Sequence, residues 1–132
     1  MAYPVEKLLK AQNLARAGII FAPVSFLLAT EQQLIEVCNG CGAADSWFRP
    51  PETIYLTDVS STCIVHDWMY NFGHTIEDKD EADRSFLNNL LRLINLDSGK
   101  WYKPTTLQRA RALLYYQSVK TFGGPAFWNG KA

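Results

Sequence analysis

Residues 63 to 70 read Cys63-Ile64-Val65-His66-Asp67-Trp68-Met69-Tyr70, between a serine pair and Gly73. A serine cap at residue 60 or 61 and a glycine stop predict one helix over about 60–72. At helical spacing, Cys63, His66, Asp67 and Tyr70 fall on one face. Neighbouring side chains on a helix point about a quarter-turn apart, so His66 and Asp67 suit different tasks. An imidazole is a base near neutral pH, and a carboxylate binds hard cations.

Thr75-Ile76-Glu77-Asp78 resembles a helix cap and predicts a second helix that runs to about residue 95. A second carboxylate, Asp83, lies at the start of the apolar stripe of this helix. The stripe consists of Phe86, Leu87, Leu90, Leu91, Leu93 and Ile94. Because only a short turn at 73–75 separates the two helices, we expect them to pack antiparallel, with Asp83 facing His66. Asp83 would then orient the imidazole, and Tyr70 could donate its hydroxyl to the same carboxylate.

The remaining segments also favour helices. An apolar stripe covers residues 5–17, Thr30-Glu31-Gln32-Gln33 reads as a capping box for a helix through residue 37, and a last helix runs over about 105–122 before Gly123-Gly124-Pro125. No strand pattern stands out. The sequence therefore predicts an all-α, mostly helical fold in a single domain, 1–132.

Composition supports a folded chain without a strong electrostatic preference. Of its 132 residues, 48% are hydrophobic and 20% are charged, which is typical of globular proteins. Thirteen basic residues balance thirteen acidic ones, so nothing favours nucleic acid as a partner. Three cysteines allow at most one intrachain disulfide, which excludes a dense disulfide scaffold.

The longest apolar run covers residues 17–29 and contains Pro23. It is too short to cross a bilayer. Sixteen residues precede it and Thr30-Glu31-Gln32 is a poor cleavage site, so a signal peptide is not favoured. We expect a buried or interface-facing pair of helices around Pro23.

Residues 38–60 are rich in Gly, Pro, Asp and Ser and predict a long ordered loop, which begins Cys38-Asn39-Gly40-Cys41-Gly42-Ala43-Ala44-Asp45. Glycines let backbone carbonyls converge on a cation, while an amide can point at developing negative charge. With Asp67 as the charged ligand, the chemistry suits calcium, bound weakly as in extracellular modules.

Together these motifs resemble the phospholipase A2 superfamily. Asn39-Gly40-Cys41-Gly42, then Cys63-x-x-His66-Asp67-x-x-Tyr70, then a helix bearing Asp83 carry the resemblance over roughly residues 38–90. Bacterial and viral members with few disulfides are the most similar. On this basis 38–90 is a phospholipase A2-like core, and 1–37 and 100–132 are additional helices.

The resemblance implies calcium-dependent hydrolysis of a glycerophospholipid carboxylic ester, with a phospholipid or membrane surface as the substrate. His66 would be the general base, Asp83 its partner and Tyr70 a brace for the pair. In the family, the positions of Cys41 and Cys63 are disulfide-bonded.

The resemblance also implies a metal site. Asp67 would bind calcium together with the backbone carbonyls of Gly40, Gly42 and Ala44, and the amide of Gly42 would help to hold the oxyanion. Ala44 replaces the second glycine of the family's loop, and the stretch from Cys41 to Cys63 is longer than in compact secreted members. A catalytically inactive relative is therefore an alternative.

A different class of protein uses the same atoms. Cys38-x-x-Cys41 and Cys63-x-x-His66, separated by 21 residues, form a possible Cys3His structural zinc site in a non-enzymatic interaction module. This alternative employs all three cysteines and assigns no task to Asp67, Tyr70 or Asp83.

The compartment depends on which alternative holds. A weak calcium site favours an exported or cell-surface location, whereas the lack of a convincing signal sequence favours the cytoplasm. The sequence makes no prediction of oligomeric state.

Overall fold

The computed structural model describes residues 3–38, 53–55, 57–96 and 104–131. Of these residues, 75% are helical and 4% are in strands, as the all-α prediction requires. The elements are α1 (Val5–Arg16), α2 (Val24–Leu27), α3 (Glu31–Val37), β1 (Thr53–Ile54), β2 (Thr57–Asp58), α4 (Ser60–Phe72), α5 (Ile76–Leu96), α6 (Thr105–Phe122) and α7 (Gly124–Trp128). Within the described residues, no helix has both the length and the apolar character that a membrane crossing requires.

The N-terminal third contains α1, α2 and α3. The predicted capping box is confirmed: Thr30 Oγ1 accepts from the Gln33 amide at 3.1 Å, and Gln33 Oε1 accepts from the Thr30 amide at 2.9 Å. The expected pair of helices around Pro23 is wrong in its first half, because α1 ends at Arg16 and residues 17–23 lie outside any helix. Gln12 holds this region together by donating to the carbonyls of Phe26 and Ala29 at 3.0 and 2.9 Å.

Two short strands precede α4, although the sequence showed no strand pattern. β1 pairs antiparallel with β2, so that Thr53 lies opposite Asp58 and Ile54 opposite Thr57. Two residues per strand are too few to produce a visible alternation. Most of the predicted loop over 38–60, residues 39–52 and 56, lies outside the described residues.

The start of α4 differs from the sequence prediction, whereas its end agrees with it for a different physical reason. Ser60 is the first helical residue rather than the cap, and its amide donates to Asp58 Oδ1 at 2.9 Å. Gly73 ends the helix as predicted, but its φ of −74° is open to any residue. A Cβ at Gly73 would stand 2.7 Å from the ring of Phe127, so close packing is what requires glycine here.

The main core lies where α1, α4, α5 and α6 pack together, with α5 between α4 and α6. Its largest fully buried side chains include Leu8, Phe26, Leu34, Ile64, Leu90 and Ile94. A second, smaller cluster consists of Tyr70, Ala82 and Phe127, where α7 reaches α4 and α5. The polar residues singled out by the sequence lie beside this smaller cluster.

Candidate active site

The structure brings His66 of α4 against Asp83 of α5. Their side chains are buried, and His66 Nε2 lies 2.9 Å from Asp83 Oδ1. An ionised carboxylate only accepts hydrogen bonds, so Nε2 carries the proton and a neutral imidazole keeps its lone pair on Nδ1. The described residues provide no hydrogen-bond partner for Nδ1. This nitrogen is therefore available as a base.

Tyr70 makes the predicted hydrogen bond with Asp83. Its hydroxyl donates to the same Asp83 oxygen at 2.7 Å, and its ring lies 4.1 Å from the His66 ring, centroid to centroid. Phe86 packs against the imidazole at 4.7 Å. Burial raises the pKa of Tyr70, and the hydrogen bond to the Asp83 carboxylate raises it further. Tyr70 consequently remains a hydroxyl donor at any physiological pH.

Lys79 also bonds to Asp83, and this contact was not predicted from the sequence. Its ammonium is buried and lies 2.8 Å from Asp83 Oδ2. It also donates to the carbonyls of Val119 and Lys120 in α6, at 3.1 and 3.3 Å. A signal was present, because Lys79 precedes Asp83 by four residues on one helix face. The surrounding acidic run, residues 77–81, made this lysine look like part of a solvated surface.

Opposing effects set the protonation state of Asp83, which is only 1% exposed. Burial raises the pKa of its carboxyl, whereas the hydrogen bonds from His66, Lys79 and Tyr70 lower it, and the net result lies below the usual value. Asp83 is therefore ionised at neutral pH, and its charge is shared among three donors.

Asp67, the predicted metal ligand, follows His66 in α4 and is half-buried. The other predicted calcium ligands, Gly40, Gly42 and Ala44, and with them the Gly42 amide, lie outside the described residues. Among the described residues no three His, Cys, Asp or Glu side chains form a metal-binding group. The expected donor set has only one such side chain, the rest being backbone carbonyls, and oxygen donors of this kind fit calcium.

The predicted zinc ligands are divided between the described and the remaining residues. Cys38 is buried, with its sulfur 3.5 Å from the carbonyl of Ile64, and Cys63 is partly buried in α4. Cys41 belongs to both the zinc set and the family's disulfide, and it lies outside the described residues. His66 already uses Nε2 for Asp83, so a zinc ion would have to bind Nδ1.

The C-terminal segment, for which the sequence offered no motif, packs around the same residues. A Cβ at Gly123 would collide with the hydroxyl of Tyr70, and Phe127 meets the Tyr70 ring edge-on at 5.2 Å. The Lys131 ammonium donates to the carbonyl of Tyr70 and lies 3.8 Å from the centre of the Phe127 ring. Tyr70 thus packs closely against Gly123 after α6, contacts Phe127 of α7 and accepts from Lys131 after α7.

In comparisons with protein-family models, with curated proteins and with solved structures, no match to this chain was found. The resemblance to phospholipase A2 therefore remains an expectation from the sequence motifs at 38–90.

Proposed function

We propose that this protein hydrolyses a carboxylic ester of a glycerophospholipid in a calcium-dependent reaction of phospholipase A2 type. The observation that carries the proposal is the contact of His66 with Asp83, which leaves Nδ1 as a base. Tyr70 on the same carboxylate matches the role that the resemblance implies. A Cys3His zinc module gives no reason for either contact.

In the proposed reaction, His66 Nδ1 removes a proton from a water molecule that attacks the ester carbonyl. Asp83 accepts the hydrogen bond from Nε2 and stabilises the imidazolium that forms, and Tyr70 keeps the carboxylate in place. His66 then returns the proton to the leaving alcohol oxygen of the lysophospholipid. Because the side chains are buried, the Asp83 charge acts on the imidazole more strongly than it would in water.

A calcium ion, when bound, would polarise the ester carbonyl. Asp67 would hold it together with the carbonyls of Gly40, Gly42 and Ala44, and the Gly42 amide would donate to the developing oxyanion. A weak site of this kind is best filled in a calcium-rich compartment, which favours an exported or cell-surface location.

The proposal extends to the fold. We assign α4 and α5 to the antiparallel helix pair of a phospholipase A2-like core over 38–90. The short connection at 73–75 and the contact between His66 and Asp83 across the two helices support this assignment.

The experiment is a hydrolysis assay on mixed vesicles of phosphatidylcholine and phosphatidylglycerol, with release of fatty acid as the readout. We expect release with millimolar calcium and none with a calcium chelator. His66→Gln should lower the rate by at least about 100-fold, the scale of general base catalysis. His74→Gln is the matched control, because His74 is the other histidine and is exposed.

Full activity in the chelator, or in His66→Gln, would contradict the mechanism. If the wild-type protein releases no fatty acid from either lipid, the proposed function fails. Elemental analysis of the same sample then tests the zinc alternative, for which one tightly held zinc per chain is expected.

A further inference from the structure

We propose that Lys79 is a positioning residue for this reaction, which fixes the Asp83 carboxylate by tying it to the C-terminal end of α6. The inference rests on the proposed function for its catalytic meaning. Its structural part, that Lys79 determines how Asp83 meets His66, can be tested without any substrate.

The Lys79 ammonium uses all of its hydrogen-bond donors. A lysine ammonium has three N–H donors, and Lys79 has three acceptors: Asp83 Oδ2 at 2.8 Å, the Val119 carbonyl at 3.1 Å and the Lys120 carbonyl at 3.3 Å. Carbonyls at the C-terminal end of a helix attract positive charge. The Val119 carbonyl also accepts from the Gly123 amide at 2.8 Å. The ammonium is thereby fixed by α6 as well as by the carboxylate of α5.

The two oxygens of Asp83 have different partners. Oδ1 accepts from His66 and Tyr70 on α4, whereas Lys79 donates to Oδ2. Rotation about the last torsion of an aspartate is soft, so one hydrogen-bonded oxygen alone does not fix the plane of the carboxylate. A charge-assisted bond to the second oxygen does so. Without Lys79, Oδ2 would be buried with no donor, and the carboxylate would turn or draw in water.

The alternative is that Lys79 only caps α6 and pairs a buried charge. Both roles predict a loss of stability on mutation. They differ in their effect on the imidazole, because only a positioning role requires that removing Lys79 changes the hydrogen bond from His66 Nε2 to Asp83 Oδ1. The experiment must therefore observe that bond.

The first measurement is nitrogen-15 NMR of the imidazole side chains in the 132-residue chain, without lipid or calcium. In the wild type, His66 should show the Nε2–H tautomer with a slowly exchanging proton, whereas exposed His74 should show rapid exchange. In Lys79→Met we expect the slow exchange to be lost and the tautomers to mix. Lys79→Arg, which retains a charged donor, should restore much of the signal.

The second measurement is the hydrolysis assay. Lys79→Met should lower kcat by roughly 10- to 100-fold, the cost of a small misplacement of a catalytic group, with KM little changed. Lys10→Met is the matched control, because Lys10 is an exposed lysine on α1, outside these contacts. Removal of this exposed lysine charge should alter neither kcat nor the NMR signal of the His66 imidazole.

Lys79→Met can also fail to fold, because it leaves Asp83 buried without its counter-ion. Lys79→Gln then replaces it, since its neutral amide remains a donor, and the same changes are expected with smaller size. A variant that folds, loses thermal stability and keeps both the slowly exchanging proton and the wild-type kcat would overturn the proposal. If wild-type protein does not hydrolyse lipid, the proposed function fails, and the NMR comparison still decides whether Lys79 positions Asp83.

Discussion

Among the polar side chains that helix α5 buries, Asp83 and Asn89 have very different surroundings. Asn89 is fully buried and bonds one neighbour twice: its Oδ1 accepts from the Phe21 amide and its Nδ2 donates to the Phe21 carbonyl, both at 2.8 Å. Asp83 accepts from three side chains, two of which, His66 and Lys79, can carry a charge. Asn89 therefore bonds to backbone groups, whereas Asp83 bonds to side chains.

The comparison distinguishes a buried polar residue with a structural role, Asn89, from one with a proposed chemical role, Asp83. A neutral amide paired with one backbone segment anchors a loop at moderate cost, as Asn89 does for the turn between α1 and α2. An ionised group in the interior is costly unless several partners compensate it, and such clusters with shifted pKa values concentrate at functional sites. The two residues therefore provide a direct test, because mutation should affect stability at both and chemistry at only one.

The largest effect is expected from Asp83→Ala. It leaves the Lys79 ammonium buried without its counter-ion, and we expect the free energy of unfolding to fall by about 3–5 kcal/mol, with loss of lipid hydrolysis. Urea denaturation followed by circular dichroism measures the first effect. Asp80→Ala is the control, since Asp80 is exposed on the same helix and should change stability by less than about 0.5 kcal/mol. Equal effects of the two substitutions on stability would contradict the importance of the buried Asp83 charge.

A smaller effect is expected from Asn89→Ala. The substitution leaves the amide and carbonyl of Phe21 without their partner, at a cost of about 1–3 kcal/mol in the free energy of unfolding. The rate of hydrolysis per folded molecule should not change, because the hydrogen bonds of the Asn89 side chain go to Phe21 and not to His66 or Asp83. Asn88→Ala, at the exposed neighbouring position, is the matched control for stability. A lower kcat in Asn89→Ala with unchanged folding would place Asn89 in the site.

The smallest effect concerns acid stability. The pKa of Asp83 is lower in the folded than in the unfolded protein, so its contribution to stability is complete above the unfolded value of about 3.9 and is lost as the pH falls through the folded value. We expect the difference in unfolding free energy between wild type and Asp83→Asn to shrink as the pH is lowered below about 4. Asp58 and Asp78, whose pKa values are also lowered, are present in both proteins and cancel. A difference that stays constant down to about pH 2 would show that this charge adds nothing to stability.

Local signals in the sequence predicted much of the helical structure. The capping box at Thr30 and the stop at Gly123 gave the bounds of α3 and α6, because caps act over a few residues. The contact between His66 and Asp83 was also predictable, since helical spacing and a short connection leave few ways for the two faces to meet. The roles assigned to these residues remain predictions.

Contacts between distant segments were not predictable. Lys79 meets Val119 across 40 residues of sequence, and no spacing rule connects them. Gly73 was expected as a helix stop because of its conformational freedom, yet the ring of Phe127 is what excludes a side chain there. In both cases the C-terminal segment decides, and its own sequence has no recognisable motif.

The link from Lys79 to α6 also bears on when the site can form. During synthesis, α4 and α5 leave the ribosome well before Val119 and Lys120, so the two helices can meet while the ammonium still lacks two of its three acceptors. Contacts between residues far apart in sequence form late, because the intervening chain must first be closed into a loop. We therefore expect the geometry of Asp83 to become fixed only after α6 docks against α5.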